Sequence, residues 1–233
     1  MMCQAAVCCE NSESCIHHVP VFEKLSPDQK ELLTSIAKSA PFTKGSYVFH
    51  EGEQSESLYV LSHGLVKLTK IADNGREHIL RFLFPGDFFG QFALLQDKQH
   101  YASAEVLEPS VICRLHKDDF RPLLESHPQL SYSFLLAMSD QLQQADEWAG
   151  AMHVMDVEQR LAMMIVHYWR KQSADGYRVI LPAAKKELSS MIGTTPETLS
   201  RKLTQWVNDG IIHMKLRTLD ILAPDRLIEL STQ

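Results

Sequence analysis

The chain has 233 residues, 45% hydrophobic and 22% charged, with a net charge of −6 at pH 7. That is an ordinary globular composition, long enough for two modest domains, and the acidic balance excludes a surface coated in basic residues. Apolar runs such as Ala162-Met163-Met164-Ile165-Val166 fall far short of the ~20 residues of a membrane helix. The N-terminus lacks a basic stretch leading into an apolar one. The expectation is therefore a cytoplasmic protein with no signal peptide and no membrane partner.

Residues 1–19 read as a polar, Cys-rich arm. Four of the five cysteines lie there (Cys3, Cys8, Cys9 and Cys15), and the fifth is Cys113. In a cytosolic chain such clustering points to metal binding or redox chemistry more than to structural disulfides. The arm has no period of its own, so a cofactor or a disulfide is expected to order it. Ser26, Pro27 and Gln29 form a capping-box start for a helix to about Ala37, with Leu32, Leu33 and Ile36 inward. From Pro41 to Leu115 the period changes to two. Tyr47–Phe49, Leu58–Leu61, Leu65–Leu68, His78–Phe82, Ala102–Val106 and Val111–Leu115 read as short strands, and Asp73-Asn74-Gly75 reads as a hairpin turn. Many short strands imply an antiparallel sandwich or barrel.

Asp118 to about Met152 is expected to be helical. Leu135, Met138, Leu142, Ala145, Ala149 and Met152 are spaced 3, 4, 3, 4, 3, a heptad seam that fits a two-stranded coiled-coil homodimer. Asp140, Asp146 and Glu147 fall off that seam. Asp156 caps a further helix with Leu161, Met164, Ile165 and Tyr168 inward, and Tyr177–Leu181 is a strand. Lys185–Ile192, a turn at Gly193-Thr194, and a helix opening at Thr195-Pro196 and running to about Asn208 make a helix-turn-helix. Ile211–His213 and Leu219–Leu222 form a wing. Thr195 is the N-cap, and Leu199 and Leu203 face inward. Glu197, Ser200 and Arg201 share a neighbouring face. Arg201 suits guanine, Glu197 suits cytosine N4, and Ser200 can touch an adjacent base. With Thr195 and Lys202 these are the expected DNA contacts. The segment Ala183–Arg217 supports them with six lysines and arginines against three acids.

The expected class is α+β, with a sensory arm over 1–19, a β-roll over 20–127, a dimerisation helix over 128–153 and a winged helix-turn-helix over 154–233. No Gly-rich phosphate loop and no His-Glu-x-x-His motif is present, so no enzymatic activity is expected. A redox or metal-handling protein without DNA binding would explain the arm but not the reading helix.

The order of these parts, the glycine pattern (Gly45, Gly52, Gly64, Gly75, Gly86, Gly90) and Glu197-Thr198-Leu199-Ser200-Arg201 resemble the bacterial cyclic-AMP receptor protein/FNR superfamily of transcription regulators, over about Val19 to Leu230. The resemblance implies double-stranded DNA and RNA polymerase as partners, and an inverted repeat of TTGAT-type half-sites. Members that bind cyclic nucleotides carry Gly-Glu and Arg-Ser/Thr pairs. Here Gly90-Gln91 and Tyr101-Ala102 stand in those places, so a cyclic phosphate would lack its charged partner, and cyclic AMP is not expected as a ligand. The FNR-like branch implies a [4Fe–4S] cluster. Cys113 matches the β-roll ligand, and Cys9 and Cys15 match the last two N-terminal ones. Ala6 stands where the first would be, which leaves Cys3 as the assigned fourth ligand and Cys8 as its alternative. Two other branches stay open: a dithiol–disulfide switch between Cys15 and Cys113, and haem held near His17-His18. Where FNR-type sensors that monomerise in oxygen carry an acid, this chain has Ala145. That implies a dimer stable without its cofactor.

Overall fold

The computed structural model describes residues 22, 25–72, 75, 77–92, 96, 98–172 and 176–232. Cys3, Cys8, Cys9, Cys15, His17, His18, Asp73 and Asn74 lie outside them. The chain divides into two compact units, Met1–Gln141 and Leu142–Gln233.

In the first unit, α1 (Pro27–Ile36) begins as its sequence predicts. Ser26 Oγ accepts the Gln29 N–H at 3.3 Å, and Gln29 Oε1 accepts the Ser26 N–H at 3.1 Å. Leu33 is buried and Ile36 packs beside it, but Leu32 is exposed. Residues 32 and 33 lie about 100° apart around the helix, so a face centred on Leu33 turns Leu32 to solvent.

Six strands follow: β1 (Ala37–Phe42), β2 (Tyr47–Phe49), β3 (Ser57–Ile71), β4 (Glu77–Leu83), β5 (Phe88–Phe89) and β6 (Ser103–His116). They form one antiparallel sheet in the order β1-β6-β3-β4, with β2 also on β6 and β5 also on β3. The four runs expected as separate strands on either side of Gly64 and of Glu108-Pro109 are two long strands. The register between β3 and β6 shifts at His63 and Leu65. Bulges thus absorb the breakers without ending the pairing. A Cβ at Gly64, whose φ is +97°, would sit 2.7 Å from the Pro109 carbonyl, so only glycine admits β6 this closely. β1 was not expected, because Ala-Lys-Ser-Ala-Pro has little strand propensity. Its pairing with β6, Ser39 opposite Cys113, imposes the extended form.

Two apolar clusters fill the unit. Phe22, Leu33, Val60, Cys113, Leu115, Phe120 and Phe134 join the sheet to its helices. Phe49, Leu61, Val66, Leu68, Leu83, Phe89 and Ile112 fill the interior of the roll. His100 is stacked on Phe49, with ring centroids 3.5 Å apart and planes 4° from parallel. It is 5% exposed. Burial lowers its pKa to about 4, against a weaker opposing pull from Glu53. Between that value and 6.5 the unfolded chain binds the proton that the folded chain refuses, so stability is complete above 6.5 and falls as pH drops towards 4. The loss is about 3 kcal/mol. In His100→Phe, which keeps the stack, thermal unfolding measured between pH 7.5 and 4.5 should lose that part of the pH slope. An identical slope in both proteins would refute the assignment.

The helix expected from Asp118 to Met152 is two helices, α2 (Lys117–Ser126) and α3 (Pro128–Val154). Pro128 disfavours the helical region for the residue before it, and His127 sits at φ −127°, ψ 86°. The second unit holds α4 (Val157–Gln172), β7 (Arg178–Ile180), α5 (Lys185–Met191), α6 (Pro196–Asn208), β8 (Ile212–Lys215), β9 (Thr218–Ile221) and α7 (Pro224–Thr232). Asp156 caps α4 by accepting the Gln159 N–H at 2.9 Å. Leu161, Met164, Ile165 and Tyr168 are buried as expected. α7 packs on α4, and β7, β9 and β8 form a three-stranded sheet in that order. Among the described residues, no helix is long and apolar enough to cross a membrane.

Candidate nucleic-acid interface

The two helices of the helix-turn-helix each end in the same six-residue hydrogen-bonded turn. After α5, the Thr194 N–H reaches the Ser189 carbonyl at 2.9 Å and the Gly193 N–H reaches Ser190 at 3.2 Å. After α6, Ile211 bonds Trp206 at 2.9 Å and Gly210 bonds Val207 at 3.2 Å. Both motifs need a left-handed residue just past the helix, and Gly193 (φ +66°) and Gly210 (φ +70°) supply it. A side chain at Gly193 would also meet Met152 Cε at 2.9 Å.

Thr195 caps α6. Its Oγ1 accepts the Thr198 N–H at 3.2 Å, and Pro196 occupies the first helical position without losing a bond. Leu199, Leu203 and Trp206 anchor the inner face. That leaves Glu197 and Arg201 exposed, neither with a hydrogen-bonding partner among the described residues. Ser200 is half-buried between them, its Oγ 3.1 Å from Lys185 Nζ. The structure thus brings Glu197, Ser200 and Arg201 to one face, with Thr195 at its start.

Lys202 is placed otherwise. Its Nζ is 2.6 Å from Glu158 Oε2, and Glu158 Oε1 accepts the Trp206 Nε1–H at 2.8 Å. The Lys202 ammonium, together with the Trp206 bond, holds the Glu158 carboxyl below the usual carboxylate range. Lys202 therefore ties α6 to α4. The residue that sequence reasoning missed is Glu158, whose partners lie 44 and 48 residues away.

The wing is the β8–β9 hairpin. Leu216, exposed and at φ +57°, turns its tip between the exposed Lys215 and Arg217. Asp220 braces the sheet through Arg178 Nε at 2.7 Å and His213 Nδ1 at 3.6 Å, and Arg178 before His213 pulls its pKa down. A groove of about 380 Å³ between helices and wing is lined by Lys185, Leu203, Thr204, Val207, Met214 and Leu216.

On α3, Leu135 is 65% exposed and Leu142 63%. Ala145 and Ala149 are exposed as well. Met138 packs partly against the first unit's core, and Met152 is half-buried. The expected seam is thus an apolar stripe open along its middle.

Cys113 is fully buried on β6. Its Sγ lies 3.2 Å from Ser39 Oγ. It is disulfide-bonded. Among the described residues no group of His, Cys, Asp and Glu could hold a metal. At the positions that correspond to a nucleotide site, Tyr101 is exposed and Ala102 buried. The Gln91 side-chain amide donates one N–H to Gln141 Oε1 at 3.4 Å.

Two family models match the chain: a cyclic nucleotide-binding domain over residues 40–127 and a Crp-like helix-turn-helix domain over 159–230. The chain is 29% identical to an anaerobic regulatory protein of Pasteurella multocida, across 96% of this chain and 81% of that protein. It is 25% identical to a cyclic AMP receptor protein of Thermus thermophilus, across 87% and 92%. The structure of FixK2 from Bradyrhizobium japonicum shares the fold, with a TM-score of 0.77 at 23% identity over 85% of this chain and 98% of that one.

Proposed function

Because the chain belongs to the cyclic-AMP receptor protein/FNR superfamily of transcription regulators, we propose that it is a homodimer that reads an FNR-like palindrome of TTGAT-type half-sites and answers redox state through its cysteines. The observation that carries the DNA reading is the exposed face of Glu197, Ser200 and Arg201 at the start of a doubly capped α6. The open stripe of Leu135, Leu142, Ala145 and Ala149 supports the homodimer, and a two-fold dimer demands a palindrome. RNA polymerase is the further partner that the family implies. Tyr101 and Ala102, where the resemblance implies an Arg-Ser/Thr pair, leave a cyclic phosphate without its charged partner, which argues against cyclic AMP as the signal.

For the sensor we propose a [4Fe–4S] cluster on Cys3, Cys9, Cys15 and Cys113. The donor chemistry fits. Cys113 supplies a thiolate when reduced, and five cysteines exceed the four thiolates that a cubane needs. When bound, such a cluster supplies an oxygen-labile redox centre. Cys113 would anchor it to β6, and the Ser39 hydroxyl is placed to donate to the Cys113 sulfur. A second reading is favoured by one observation. Cys113 is disulfide-bonded, as in a dithiol switch, where two thiols pass two electrons and two protons to an oxidant.

One preparation separates the two. Purified without oxygen, the protein should be brown, carry about four iron and four sulfide per chain, bind a TTGAT palindrome, and lose its colour in Cys113→Ser. A colourless protein with titratable thiols that pair on oxidation assigns the switch to the disulfide. Failure to bind the palindrome in every redox state would refute the DNA reading.

A further inference from the structure

Lys185 opens α5 and Ser200 lies in the second turn of α6, and their side chains meet at 3.1 Å. An ammonium has three donors and no acceptor, so the serine oxygen is the acceptor in this contact. Lys185 gains nothing from its own helix, because a cation in the first turn faces the positive end of the helix dipole. Its partner on α6 accounts for its position.

The consequence falls on the serine's proton. One lone pair of Ser200 Oγ is taken by Lys185, and among the described residues Oγ donates to nothing. The O–H and one lone pair are left to offer on the face shared with Glu197 and Arg201. The ammonium 3.1 Å from the oxygen weakens that second lone pair as an acceptor and repels the positive end of an approaching N–H, so the O–H is the favoured group.

We propose that Lys185 fixes the hydrogen-bonding polarity of Ser200, making it a donor that accepts bases with a major-groove acceptor and rejects cytosine. This rests on α6 being the base-reading helix. Guanine offers N7 and O6, adenine N7 and thymine O4. Cytosine presents only its N4 amino donor. Lys185 is then a positioning residue for specificity, acting through Ser200.

The test is selection of duplexes from a random pool by the full-length protein, followed by affinities for single-base variants of the selected site. Wild type should reject cytosine at one pair by a factor on the order of five. Ser200→Ala should lose that rejection. Lys185→Met, which keeps the apolar stem, should lose it too while leaving preference at the guanine pair intact. If Lys185→Met weakens all duplexes by one factor with cytosine still rejected, the lysine is a phosphate contact and the inference falls, while the base-reading role of α6 stands. If Ser200→Ala alters no position, Ser200 reads no base and the inference falls with it. If wild type enriches no sequence, α6 is not a reading helix, and both are overturned.

Discussion

Leu142→Asp is expected to leave a folded monomer that no longer holds a palindromic site. Leu142 and Leu135 are about two-thirds exposed within one chain, so folding of the protomer gains little from either. Fully burying a leucine is worth about 1.5–3 kcal/mol, so covering four of them in a two-fold seam contributes about 4–8 kcal/mol. The substitution removes two of the four and sets two carboxylates facing each other in an apolar strip, where charges are costly to desolvate. Light scattering at micromolar concentration should report a dimer for wild type and a monomer for the variant, whose helical and strand content is unchanged and whose thermal unfolding no longer depends on protein concentration. Affinity for the palindrome should fall by at least about a hundredfold, towards non-specific binding. Wild type should stay dimeric with or without oxygen, because Ala145 stands where an acid would oppose pairing. A dimeric Leu142→Asp would place the interface elsewhere.

Arg201→Ala is the second large effect. Arg201 is exposed beside Glu197 and is uncommitted among the described residues, so its removal costs the fold almost nothing. A bidentate arginine–guanine contact is worth about 1–3 kcal/mol of discrimination, and two half-sites double it, so specific binding should drop by roughly thirtyfold or more. The loss should be confined to the guanine pair of each half-site, with non-specific affinity nearly unchanged. A uniform loss across sequences would reassign Arg201 to phosphate contact. Lys202 is the contrast. Its pairing with Glu158 means that Lys202→Ala should disturb the seating of α6 rather than one base pair.

The difference between these two neighbours shows what a sequence conveys. Arg201 and Lys202 are adjacent basic residues on α6; spacing puts Arg201 on the face of Glu197 and Ser200, but nothing local says what Lys202 meets. Its partner is Glu158, on another helix and 44 residues away. The helix starts at Ser26, Asp156 and Thr195 were legible because a cap and the N–H it accepts lie three residues apart. α7 starts at Pro224 with Asp225 in its first turn and has no side-chain cap, since Ala223 precedes it. β1 carried no such signal. Its strand form comes from β6, with Ser39 and Cys113 74 residues apart.

Local chemistry, spaced within a turn of helix or a strand's alternation, set the element types, the reading face of α6 and the heptad stripe on α3. The bonds that specify these features close within three or four residues, so composition and spacing carry them. Tertiary packing alone decided which glycine became a bulge instead of a break, which lysine braces Glu158 and which meets Ser200, and that Cys113 lies fully buried on β6 beside Ser39. Those outcomes depend on partners brought together across dozens of residues, which only the folded chain selects.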